Sequence, residues 1–249
     1  MSEFAISVLS FWVGIASGFI GALSTGGGLI SIPALIFMGL TPGASIATTR
    51  LSALSGGITA FAKYRKNNVI LWKYIPYFVV LAVIGGIVGS KILLEINERV
   101  LTVTVGILLL LMLPLLFWKK NFGMVQTERR KGHTITGFIL QFFIMIYGAA
   151  FGGGTGIFLT YVLVHFFGMT IIQANATGNV MWLVVTTTAL ISYILHGAVN
   201  FSVGIPLLIG AAIGGYAGAH TALKAGNQIV KWVFAVIIIL SSIKLIFFP

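Results

Sequence analysis

The sequence predicts an all-α polytopic membrane protein made of two homologous, inverted repeats. Each repeat is a Gly-broken helical hairpin plus three long transmembrane helices. Three observations carry this. Of 249 residues, 58% are hydrophobic and 8% are charged, whereas a soluble domain carries roughly a quarter charged residues. The apolar residues gather into runs near the 20 or so that cross a bilayer core. The chain also resembles itself when shifted by 129–130 residues, which brings Gly39 onto Gly168, Thr41 onto Thr170, Ala47-Thr48 onto Ala176-Thr177 and Pro76 onto Pro206. Tyr64 falls on Tyr193, and Gly85, Gly86 and Gly89 fall on Gly214, Gly215 and Gly218. Shared Gly, Pro and Thr say more than shared Leu or Val, which any membrane helix supplies.

In chain order, the runs expected to span are 4–23, 44–62, 74–94, 100–118, 134–150, 172–195, 203–223 and 229–248. Two shorter runs, 29–38 and 157–167, cannot span alone. Each follows a glycine break, Ser24-Thr25-Gly26-Gly27-Gly28 in the first half and Gly152-Gly153-Gly154-Thr155-Gly156 in the second. They read as half-helices, because irregular backbone at membrane depth must be buried in protein or line a polar cavity. The organisation expected is a first repeat over 1–118, a basic cytoplasmic linker over 119–133 and a second repeat over 134–249.

Topology follows from Lys and Arg in short loops. Lys63, Arg65, Lys66 and Lys73 surround one loop; Lys119, Lys120, Arg129, Arg130 and Lys131 fill the linker; Lys224 and Lys231 flank a third. The segment 196–202 has no Lys or Arg. All three basic loops share the inner side if each half crosses an odd number of times, and the halves then insert oppositely. The competing count takes 4–38 as one broken crossing, which gives four spans per half and a parallel repeat. The formal charge of +11 is assigned to topology and anionic lipid headgroups rather than to nucleic acid. Glu3, with no early Lys or Arg, argues against a cleaved secretory leader.

Inverted repeats with broken helices are characteristic of secondary transporters, which bind substrate where the breaks meet. A helix N-terminus leaves N–H groups unpaired and carries about half a positive charge. Gly26, Gly27 and Gly28 open one half-helix, and Gly153, Gly154 and Thr155 open the other, so two such ends facing one cavity would hold an anion. The alternative is that the glycines only allow close packing, a reading that suits Gly85, Gly86, Gly89, Gly214, Gly215 and Gly218 along the long helices.

Arg50 lies inside an apolar run of a chain with no Asp, whose four Glu (Glu3, Glu95, Glu98 and Glu128) all sit at run ends or in loops. An intramembrane Arg marks a functional site by default, and a guanidinium without a carboxylate partner fits an oxyanion. The alternative is snorkelling to the headgroups. Its repeat counterpart is Asn179. Uncharged donors surround the pair: Ser24, Thr25, Thr48 and Thr49 in the first half, Thr155, Asn175 and Thr177 in the second. Asn175 and Asn179 share a helix face by their spacing. Gln141 and Tyr147 are further candidates for the same cavity.

Other classes fit poorly. With zero Cys there are no disulfides, thiolate metal sites or Cys nucleophiles. No paired His spacing suits zinc and no carboxylate cluster suits a hard cation, so neither metal nor cofactor is expected. An aspartyl intramembrane protease needs two Asp, and no Ser–His constellation stands out. His165 and His220 are candidates to carry a proton; His133 and His196 fall in loops. The coupling ion, H+ or Na+, stays open, as does an anion channel of the same architecture.

The pattern Gly18-Phe-Ile-Gly21, then Gly26 to Leu35 with Pro33, then Ala47-Thr48-Thr49 resembles the TauE/SafE sulfite exporter family, as do Gly152 to Gly156 and Gln173 to Thr177. The resemblance covers nearly the whole chain, including the duplication. It implies transport of sulfite, sulfoacetate or another organosulfonate across the bacterial cytoplasmic membrane. It also implies four helices per repeat, against the five segments counted above. Val162 stands where the first half has Pro33, and Asn179 replaces the charge of Arg50, so the halves are expected to contribute unequally.

Overall fold

The computed structural model describes residues 3–24, 27–97 and 133–247. Among the described residues there are eight α-helices: α1 (Glu3–Ser24), α2 (Gly28–Phe37), α3 (Pro42–Lys66), α4 (Ile75–Glu95), α5 (His133–Ala150), α6 (Thr155–Phe167), α7 (Ile171–Leu195) and α8 (Phe201–Phe247). Helix α8 breaks at Gly226, where φ is +75°, between the two runs expected there. The expected span 100–118, the linker up to residue 132, and Thr25 and Gly26 lie outside the described residues. Among the described residues, four segments are long and apolar enough to cross a membrane: Glu3–Leu23, Trp72–Glu95, Ile171–Leu195 and Phe201–Gly226.

Local chemistry explains the residues shared between the halves. Gly39 and Gly168 end the two half-helices with φ of +97° and +70°, a left-handed conformation that costs glycine little. Thr41 and Thr170 then cap the next long helices, accepting from Ala44 N at 3.3 Å and from Gln173 N at 3.2 Å. Gln173 returns a bond to the Thr170 N–H at 3.0 Å, completing a capping box. Each half-helix therefore stops, turns and restarts within three or four residues.

Each half's fourth described helix packs mainly on the other half's helices. Helix α8 lies along α1 and α3, and α4 lies along α5 and α7. The array thus comprises a first bundle of α1, α2, α3 and the front of α8, and a second of α4, α5, α6 and α7. Small residues allow this. A Cβ at Gly210 would lie 2.0 Å from Phe11 O, one at Gly214 2.0 Å from Ile15 O and one at Gly218 2.3 Å from Phe19 O. In the second bundle, a Cβ at Gly89 would lie 2.2 Å from Ile146 O. Backbones in direct contact gain dispersion that lipid cannot offer, and this close approach is how membrane helices associate. The packing reading of these glycines holds.

Helices α3 and α7 meet where the bundles join, and they run antiparallel. Thr48, near the start of α3, accepts from Asn200 N just beyond the end of α7 at 2.9 Å. Thr177, near the start of α7, accepts from Leu71 N just beyond the end of α3 at 3.1 Å. Both partners of one bond lie 129 residues from those of the other. Thr48→Val is expected to cost about 1–3 kcal/mol, the penalty for stranding a partly buried donor, read as a lower Tm in detergent; Thr177→Val should behave alike.

Most of the described basic residues gather at one end of the array. Helix α8 runs parallel to α3, since Ser55 and Thr59 donate to Leu208 O at 2.7 Å and Ala212 O at 2.9 Å, and Lys63 Nζ lies 5.0 Å from the Tyr216 ring centroid. Lys63, Arg65, Lys66, Lys73 and Lys224 therefore share an end, and His196–Asn200 lies at the other.

Candidate functional site

A cavity of about 40 Å³ lies between the bundles, room for about three water-sized spheres. Helix α1 supplies Ser17, Gly18, Gly21 and Ala22; the first break and α2 supply Gly27, Gly28 and Ser31. Helix α3 contributes Thr49, Arg50, Ser52, Ala53, Gly56 and Gly57. The second half adds Gly152, Asn179 and Trp182. Arg50 and Asn179, matched by the internal repeat, thus face one space.

Arg50 is 1% exposed. It rises from α3, yet the second half holds its head. Its Nη2 donates to Ala149 O at 2.7 Å, in the last turn of α5, and Tyr193 Oη donates to the same carbonyl at 2.7 Å. The guanidinium carbon sits 5.4 Å from the Trp182 ring centroid, a cation–π contact that softens desolvation. Its Nε has no partner, and among the described residues no carboxylate pairs with it. The side chain turns inward and is covered, whereas a snorkelling side chain would reach out of the array.

The two glycine breaks meet beside it. A Cβ on Gly28 would lie 3.4 Å from Gly152 C and Gly153 N. Gly152 and Gly154 have φ of +76° and +77°, and a Cβ on Gly152 would come within 3.0–3.2 Å of the Arg50 guanidinium. Glycine is required at 152 both by its conformation and by the Arg50 head lying against its Cα. Gly27 also packs tightly, since a Cβ there would lie 2.3 Å from Ser17 O. Gly152→Ala is expected to displace the guanidinium and cost about 1–3 kcal/mol in backbone strain, read as a lower Tm.

The remaining candidates divide by what they hold. Thr49 lines the cavity while its hydroxyl donates to Ile46 O at 2.8 Å. Asn179 is 3% exposed, and its Oδ1 has no partner. Asn175 instead ties the bundles, donating to Leu23 O and accepting from Thr160 Oγ1 at 3.0 Å. Thr48 and Thr177 are occupied at the bundle junctions, and Thr155 donates to Gly152 O at 3.2 Å. Gly153 touches Gly28, and Gly154 caps α6. Ser24 ends α1, and Thr25 and Gly26 lie outside the described residues. Tyr147 donates to Gly153 O at 2.7 Å and Gln141 is fully buried; neither lines the cavity, nor do His165 and His220. Among the described residues no group of His and carboxylates could hold a metal. Ser17, Ser31, Ser52 and Trp182 were not singled out from sequence. Serines in apolar runs look alike wherever they face, and only the helix packing turns these toward Arg50.

The family model for the sulfite exporter TauE/SafE matches residues 10–245. The chain belongs to the TauE/SafE family. A probable membrane transporter protein of Haemophilus influenzae is 23% identical over 95% of this chain and 93% of its own length. The probable membrane transporter protein YfcA of Escherichia coli K12 is 24% identical, covering 99% and 91%. ORF9 of Sinorhizobium sp, also named a probable membrane transporter protein, is 27% identical over 100% and 96%. No solved structure matches the chain. With its apolar helices, this TauE/SafE member is a multi-pass membrane transporter. The motif residues on which the resemblance rested include cavity-lining Gly18, Gly21, Gly27, Gly28, Thr49 and Gly152.

Proposed function

We propose that the protein is a secondary transporter of the bacterial cytoplasmic membrane that carries a small sulfur oxyanion, sulfite or an organosulfonate, by alternating access. The observation that carries this is Arg50: a buried guanidinium with an unpartnered Nε, walling a cavity where two helix breaks meet. A buried cation without a counter-charge is costly, and a bound oxyanion relieves that cost. The family's description as sulfite exporters supports sulfur chemistry in particular.

The two repeats are inverted in this reading. Support comes from the antiparallel α3 and α7, whose terminal hydrogen bonds share the 129-residue spacing. Collecting the basic helix ends on one side supports placing that side in the cytoplasm. Because α4 and α8 each pack with the opposite half, the bodies that rock are the two bundles and not the two sequence halves. The cavity lies between those bodies, with Arg50 bridging them.

The test is counterflow of labelled sulfite into proteoliposomes loaded with unlabelled sulfite. The expected result is saturable, trans-stimulated uptake that Arg50→Gln removes. Flux that neither saturates nor responds to trans substrate would make the protein a channel. Absence of flux for sulfite and organosulfonates alike would overturn the substrate class.

A further inference from the structure

The geometry points to a site that selects singly charged oxyanions over doubly charged ones of the same shape. This deepens the oxyanion reading and rests on it. Among the described residues, the cavity wall carries one whole charge, Arg50; the other polar side chains that line it are Ser17, Ser31, Thr49, Ser52, Asn179 and Trp182, all neutral.

Helix ends do not supply a second unit of charge. At each break the C-terminus of one helix meets the N-terminus of the next: α1 runs into α2 and α5 into α6. Only the start of α2, at Gly27 and Gly28, lines the cavity, and Gly154 and Thr155 at the start of α6 do not, so the helix starts add at most about half a charge. The carbonyl ends are themselves occupied, Ala22 O by Tyr64 Oη at 2.6 Å, Leu23 O by Asn175, and Ala149 O by Arg50 and Tyr193.

Asn179, 3% exposed, also lines the cavity and is neutral, so it adds no charge to the site. A monoanion on Arg50 leaves the buried site neutral, whereas a dianion leaves one negative charge uncompensated, which burial penalises heavily. Singly charged sulfonates and the protonated form of sulfite meet this requirement. Sulfate does not.

The test compares tetrahedral anions of similar size on the intact wild-type protein in nanodiscs, by isothermal titration at constant ionic strength. Methanesulfonate and sulfate differ by a methyl group in place of a charged oxygen, and perchlorate is a monoanion without the methyl. Methanesulfonate and perchlorate are expected to bind at least roughly tenfold more tightly than sulfate, about 1.4 kcal/mol. Sulfate binding as tightly as the two monoanions would overturn charge selection while leaving the oxyanion site intact. Binding of methanesulfonate alone would assign selectivity to the methyl group and overturn it as well. If none of these anions nor sulfite binds, the oxyanion reading itself falls.

Discussion

Arg50→Gln is expected to remove oxyanion binding and, in the same protein, to raise the Tm of the unliganded state. The first effect follows from the hydrogen bonds lost. Each bond to a charged group contributes about 1.5–3 kcal/mol, so losing one weakens binding roughly 10- to 150-fold. The second follows from burial. The guanidinium is 1% exposed, has one hydrogen bond to Ala149 O and has no carboxylate partner among the described residues. Removing an uncompensated buried charge relieves a cost that the bond to Ala149 and the Trp182 face only partly offset. Thermal shift with and without sulfite reads both effects at once. Arg50→Lys keeps the charge and loses the planar fork, so its response should fall between wild type and the Gln variant. A Gln variant that still responds to sulfite like wild type would move the anion to another part of the cavity. A lower Tm without ligand would make Arg50 a structural tie between the bundles.

Gly214→Val is expected to be among the most destabilising single changes outside the site. Its first added carbon would lie 2.0 Å from Ile15 O and 2.8 Å from Phe19 N. These are backbone atoms of α1, so no rotamer change makes room and the two helices must separate. Overpacking a core by a methylene or two costs about 1–3 kcal/mol, and prying apart a backbone contact along two helices costs more. A loss of about 10 °C in Tm, or failure to purify as a monodisperse species, is the expected reading. Gly39→Ala is the control: nothing lies within 4 Å of the added carbon, but φ is +97°, so only backbone strain of about 1–2 kcal/mol applies. Gly214 has no such conformation, so a loss there no larger than that at Gly39 would show that the α1–α8 contact yields cheaply.

The class of the protein was legible in its residues because each cue was local. Apolar runs mark helices through their length alone, and consecutive glycines mark where a helix cannot continue. The matched pairs Gly39 with Gly168 and Thr41 with Thr170 turned out to be helix stops and starts, roles set by backbone dihedrals within a few residues. Arg50 stood out on solvation grounds, because a charge inside an apolar run is costly wherever the helix lies. The matching pairs Thr48 with Thr177 and Arg50 with Asn179 were visible too, though not their jobs: the first pair holds the bundle junctions, while the second faces the cavity.

What the tertiary structure alone decided was partnership. The exchange of α4 and α8 between the halves depends on glycine contacts between residues far apart along the chain, such as Gly89 against Ile146 and Gly210 against Phe11. A small-residue stripe does not name the helix it will meet, because close approach is favourable against any complementary backbone. The same holds for the cavity. Ser17, Ser31, Ser52 and Trp182 became its walls because helix packing aimed them there, and Asn175 was drawn into a tether to Leu23. Sequence determines which groups are costly to leave unpaired in a membrane; only the packed fold determines which of them find partners in the protein and which remain for a ligand.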